Sequence, residues 1–126
     1  MKRFFTLITT AFLLSSFTYL ISIDEVVAAM KNGDATQIAR FFDNTVELTM
    51  PDKSNNYSKN QGEIVLKDFF TTNGVKTFTI IHKGENAGSQ YCIGTLVTKN
   101  GSFRTTVFMK QKNDKQLIQE IRFENR

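Results

Sequence analysis

Apolar positions along the chain change their period three times. Ile23, Val26, Val27 and Met30 recur at the spacing of one helix face, and Gly33 follows as a stop, so residues 23–32 are predicted as a helix. Asp34 offers an N-cap with Gln37 three residues on, and Ile38, Phe41 and Phe42 supply the stripe of a second short helix ending near Asp43. From Thr45 to Met50 the period drops to two, with Val46, Leu48 and Met50 on one side and Glu47 and Thr49 on the other, which predicts a strand stopped by Pro51. The polar, Asn-rich segment 52–59 reads as a loop or a short edge hairpin around Tyr57. Helical spacing returns with Gln61, Ile64, Val65 and Phe69, predicting a third helix over 61–70, closed by Asn73 and Gly74. Residues 75–83, 90–99, 103–112 and 117–124 are then predicted strands separated by turn residues. This order describes an α+β domain in which three helices from the N-terminal half pack on one face of a curved, mainly antiparallel sheet.

Asn100-Gly101 is the preferred dipeptide for a two-residue hairpin turn, and it predicts a register. Lys99 then faces Ser102, Val97 faces Arg104, Thr95 faces Thr106, Ile93 faces Phe108 and Tyr91 faces Lys110. Those residues share one sheet surface. Cys92, Gly94, Leu96 and Thr98 share the other with Phe103, Thr105, Val107 and Met109. Leu117, Ile121 and Phe123 are expected to extend the second surface beneath the helices, with Ile118, Glu120, Arg122 and Glu124 behind them. The bare surface would carry Ile93, Val97, Phe108 and Ile118 at its centre, and Arg104, Lys110, Glu120 and Arg122 around them. An apolar centre with a charged rim is the composition of an interface, so a homodimer through this face is expected.

The N-terminus changes the picture of where the protein works. Met1, Lys2 and Arg3 precede a largely apolar run from Phe4 to Leu14, the layout of an export signal, with a cut expected between about residues 18 and 22. Extended to Ile21 the run reaches 18 residues, the bottom of the transmembrane range, and its six Ser or Thr hydroxyls weaken a permanent helix in lipid, so a cleaved signal is expected, with an uncleaved anchor as the alternative; after cleavage no stable membrane insertion is expected. Ser22 with Glu25 reads as a capping box retained in the mature chain. The expected product is a periplasmic or secreted single domain, residues 23–126. Loss of Lys2 and Arg3 lowers the net charge from +4 to +2, and the remaining charges are scattered, which excludes a nucleic-acid stripe and a polybasic membrane patch.

Candidate chemistry is sparse among 126 residues that hold one Cys and one His. Neither a disulfide nor a His-built metal centre is open to this chain, and no metal or cofactor is expected. Asp24, Glu25, Asp43 and Glu47 have no ligand spacing with His or Cys. If the segment 84–89 closes symmetrically, His82 stands opposite Tyr91, and His82, Tyr91 and Lys110 form a polar row able to hold a carboxylate or a hydroxyl; the same row would equally finish the strand ends. Cys92 is expected to be a small buried residue rather than a nucleophile, and Arg104 to pair with Glu120 or Glu124. Phe41, Phe42, Phe69 and Phe70 are expected in the core, with a pocket lining as the alternative.

The run Gly33-Asp34-Ala35-Thr36-Gln37-Ile38-Ala39-Arg40-Phe41-Phe42-Asp43, followed by a strand, resembles the opening of the nuclear transport factor 2-like superfamily. More narrowly, Asp68-Phe69-Phe70, Phe78 with His82-Lys83-Gly84, Tyr91-Cys92-Ile93-Gly94-Thr95-Leu96 and Gly101-Ser102-Phe103-Arg104 are similar to a family of small exported bacterial proteins described only as a domain of unknown function. The resemblance spans residues 23–124 and implies a cone of helices on a half barrel. Superfamily enzymes of the ketosteroid isomerase and polyketide cyclase types use an Asp or His base and a Tyr or Asp donor inside the cone. Here the first helix lacks Tyr, the one His is His82, and no core-facing strand position from Cys92 onward is acidic, so that chemistry has no residues to land on. The expectation is an exported, non-catalytic module that binds a small molecule, a peptide or an envelope protein. A small hydrolase or isomerase using His82 and a purely structural dimerisation unit are the alternatives.

Overall fold

The computed structural model describes residues 22–126; the expected signal, apart from Ser22, lies outside them. Helix α1 is described over residues 22–31 and buries Ile23, Val26, Ala29 and Met30. Ser22 is already helical, so it does not act as the cap that its spacing to Glu25 predicts. The helix ends in a Schellman arrangement: Gly33 sits at φ +62°, its N–H donates to Met30 O at 3.1 Å, and Asp34 N–H donates to Ala29 O at 2.9 Å. Asp34 then caps α2, Ala35–Ala39, through Oδ1, which accepts from Gln37 N–H at 3.1 Å.

The second helix is shorter than its stripe predicts. Strand β1 begins at Phe42, so Phe42 enters the core from a strand and not from a helix. The cause is tertiary: Ile118 N–H donates to Phe41 O at 2.6 Å, and the last strand captures the chain where helical spacing would have continued. The polar segment forms the edge hairpin, β1 (Phe42–Thr49) with β2 (Ser54–Ser58). Ser58 caps α3, Lys59–Asn73, whose deepest residues are Leu66 and Phe70; Ile64 faces outward at 62% exposure. Gly74, at φ +70°, closes the helix with its N–H on Phe70 O.

A meander of β3 (Val75–Asn86), β4 (Ser89–Thr98), β5 (Gly101–Lys112) and β6 (Lys115–Asn125) completes a six-stranded sheet in the order β2-β1-β6-β5-β4-β3. The pairing of β1 with β6 is parallel and the others are antiparallel. All three helices cover one face, where Phe42, Phe78, Leu96, Val107, Met109, Ile121 and Phe123 are buried.

The β4–β5 turn is not the predicted one. Thr98 pairs with Gly101, so Lys99 and Asn100 are the turn residues and the register is shifted by two from that expected, with Ile93 opposite Thr106 and Tyr91 opposite Phe108. A type I′ turn at Asn100-Gly101 needs positive φ at Asn100, and only Gly101 has it. Because the shift is even, each side chain keeps its predicted face. A second irregularity has the opposite effect. Between Phe108 and Met109 the β5–β6 register slips by one, which turns Ile118 into the core at 0% exposure and leaves Leu117 on the bare side. Ile118 is therefore not at the centre of the bare face.

Asp43 secures another such break, where the β1–β6 register shifts between Phe42 and Glu47. Its carboxylate takes Lys112 Nζ at 2.6 Å and Gln119 Nε2 at 3.0 Å, and these bonds hold its pKa at about 2 against burial, below the ordinary 3.8. A lowered carboxyl pKa adds stability above the unfolded value that disappears as pH falls through the folded one. With Lys112 half exposed, we expect roughly 1 to 2 kcal/mol at neutral pH, lost between about pH 4 and pH 2. Urea unfolding of the protein and of Asp43→Asn should differ by that amount at pH 7 and converge toward pH 2.

Candidate functional site

His82, Tyr91 and Lys110 lie on the face opposite the helices, and two of the three meet. Strand β3 carries a bulge between Ile80 and His82, so Ile81 and His82 together oppose Ile93 on β4. Tyr91 pairs with Gly84, and a Cβ at Gly84 would stand 2.6 Å from the Tyr91 ring. The missing side chain lets the ring lie across β3 and sets the phenol oxygen 2.8 Å from His82 Nε2. The two rings are tilted by 48° with centroids 5.5 Å apart. Lys110 pairs with Ser89 instead, diagonal to Tyr91 on the same face. Such an arrangement can donate and accept hydrogen bonds at the surface.

Beside this pair runs an apolar band that the sequence reading only partly anticipates. Phe108 lies directly opposite Tyr91 at 36% exposure, Ile93 and Val97 are half-buried, and Ile81 is 54% exposed at the bulge. Alternation from Phe78 and Ile80 puts Ile81 on this face and His82 on the other; the bulge brings His82 round beside Ile81, and it has no signature in a run of alternating residues. Thr95 and Thr106 separate the apolar side chains, and Arg126 reaches Thr95 Oγ1 from the C-terminus. Around the band stand Arg104 and Lys110 on β5, with Glu120, Arg122 and Glu124 on β6. Arg104 faces Glu124 directly, while Glu120 takes Arg122 at 3.1 Å. Glu47 pairs with Glu120 across β1 and β6, and the neighbouring carboxyl raises the pKa of Glu47.

The other candidates resolve into structure. Cys92 is buried, and desolvation pushes its thiol up to about 11, which keeps it protonated and un-nucleophilic at neutral pH. Asp24 pairs with Lys83 at 3.0 Å and ties α1 to β3. Phe42 and Phe70 are core, and Phe69 stacks on Phe123 at 4.5 Å while meeting Phe103 edge-on at 5.3 Å. Phe41 is half-buried at a cavity mouth. No helix among the described residues is long and apolar enough to cross a membrane.

Comparison with known proteins places this geometry. No curated protein matches the sequence. Among solved structures, a protein from Bacteroides ovatus is 32% identical with a TM-score of 0.78 over 81% of this chain and 93% of its own. One from Bacteroides fragilis is 33% identical with a TM-score of 0.76 over 81% of this chain and 96% of its own. Both are DUF4783 family proteins. A dehydratase of the nuclear transport factor 2-like family from Streptomyces avermitilis, so named only provisionally, shares the fold at 9% identity, with a TM-score of 0.63 over 84% of this chain and 91% of its own. The chain thus has the nuclear transport factor 2-like α+β cone, its sheet curved and open. Residues 23–124 match the family described as a domain of unknown function, DUF4783, and the chain belongs to that family.

Proposed function

We propose that this protein is a non-catalytic interaction module exported to the cell envelope, where two copies pair through the sheet face that the helices leave bare. The observation that carries the reading is the band formed by Ile81, Tyr91, Ile93, Val97 and Phe108, with Ile81 at 54% and Phe108 at 36% exposure. A solvated antiparallel face alternates to polar residues, and a wet apolar band of this kind is costly in a domain this small. The rim supports a second copy as the occupant. Arg104, Lys110 and Arg122 stand with Glu47, Glu120 and Glu124 around or beside the band, so a second copy of the same face offers charges of both signs to pair with. His82 stands on this face, bonded to Tyr91 and outside the cone, which favours a contact role over general-base chemistry. Lys110 and the His82–Tyr91 pair then border the interface.

Light scattering of the mature protein at tens of micromolar should give the mass of a dimer. Phe108→Glu should give a folded monomer, since the charge is desolvated only at the contact and the helix-covered core is untouched. A monomeric unmutated protein removes the pairing. Export is tested separately: protein recovered from the envelope of a bacterial host should begin between residues 19 and 23, and a sequence starting at Met1 removes that part.

A further inference from the structure

A cavity of about 360 Å³ opens where the end of α2 meets the β5–β6 turn. The bond from Ile118 N–H to Phe41 O draws these two segments together and leaves Arg40 and Phe41 on one side of a common space, with Asp114, Lys115, Gln116 and Leu117 on the other and Ser22 of α1 also in the lining. Among the described residues, the side chains of Arg40, Asp114 and Lys115 have no hydrogen-bond or ion-pair partner. Gln116 is 6% exposed, and its Nε2 donates to Gly88 O at 3.2 Å, which fixes the orientation of the amide. Its Oε1 is a buried acceptor without a donor.

We propose that this cavity holds a free amino acid with an apolar side chain. Two unpaired cations suit a carboxylate, the Asp114 carboxylate suits an ammonium group, and Phe41 with Leu117 suit an apolar body. The zwitterion answers the charged side chains of the cavity at once, whereas a simple carboxylate leaves Asp114 opposed. The volume lies at the lower end of small-molecule sites, which fits a single amino acid.

Isothermal titration of the purified protein with L-leucine and L-phenylalanine is expected to show binding in the submillimolar range. N-acetyl-L-phenylalanine, which lacks the ammonium, and L-phenylalaninamide, which lacks the carboxylate, should each bind at least about tenfold more weakly. Arg40→Gln and Lys115→Gln alter exposed side chains, so both should fold with unchanged Tm and lose about tenfold in affinity. No heat from either amino acid up to about 10 mM, blocked forms that bind as well as free ones, or unaltered affinity in both variants would each overturn the proposal.

Discussion

Gly94→Ala is expected to destabilise the protein by about 3 kcal/mol, and Gly94→Val by more, at the upper end of what overpacking costs. Gly94 lies in the middle of β4 on the helix-covered face, diagonal to Phe78 on β3. A Cβ there would stand 2.5 Å from Phe78 Cζ and 2.6 Å from the backbone oxygen of Thr79. The ring is itself fully buried at 1% exposure, so it has nowhere to move, and the carbonyl is held in the strand. Urea unfolding measures the loss. Phe78→Leu in the Gly94→Ala background should recover part of it by withdrawing the ring, and the Thr79 contact should keep the rescue incomplete. A Gly94→Ala midpoint equal to that of the unmutated protein would show that the strands are not this close.

The second large effect is expected at Phe123. Its ring is fully buried, stacks on Phe69 at 4.5 Å and meets Phe70 edge-on at 6.2 Å. Through Phe69 the contact extends to Phe103, so one side chain joins α3 to both β5 and β6. Phe123→Ala removes that centre and should cost about 3 to 5 kcal/mol, whereas Phe123→Leu, which keeps most of the volume, should cost about 1.5 kcal/mol or less. Phe108→Ala removes the same number of atoms from a position at 36% exposure and should cost much less in a folded monomer. Thermal unfolding of the three variants side by side, each carried on a monomeric background and at low concentration, checks the ranking, and equal losses at Phe123 and Phe108 there would contradict the assignment of the two faces.

Much of this architecture is legible in local pattern. Period, cap and stops locate the helices and all strands but β2, because Asp34, Gly33 and Gly74 act through bonds within a few residues of themselves; β2 is one of two readings of segment 52–59, and the Ser58 cap goes unread. The face of each central strand is legible as well, since a two-residue slip at Asn100-Gly101 leaves alternation intact. What eludes the pattern is decided at a distance. The true turn is held from outside: Lys99 N–H donates to Asn73 O, and Asn100 Nδ2 donates to Thr72 O, both at the end of α3. Ile118 and Leu117 exchange faces at a bulge, and Phe42 leaves its helix for a strand because β6 lies beside it. For the surface site, a symmetric turn sets His82 directly opposite Tyr91; in the structure Tyr91 pairs with Gly84 and His82 with Ile93, and the two side chains meet diagonally. The position of Lys110 and the face of His82 depend on where the register and the bulge fall.

The parallel pairing of β1 with β6 joins the first strand of the chain to the last. Until Lys115–Asn125 has been made, the β1–β2 hairpin and the β3–β4–β5 meander have no ladder between them, and the apolar side of each lacks its central strand. Synthesis from the N-terminus therefore cannot deliver a finished half of the cone. A long loop must close before the reward of strand pairing is collected, which delays folding relative to a chain built on neighbouring contacts. The topology thus holds back completion of the cone until the last strand has been made and paired.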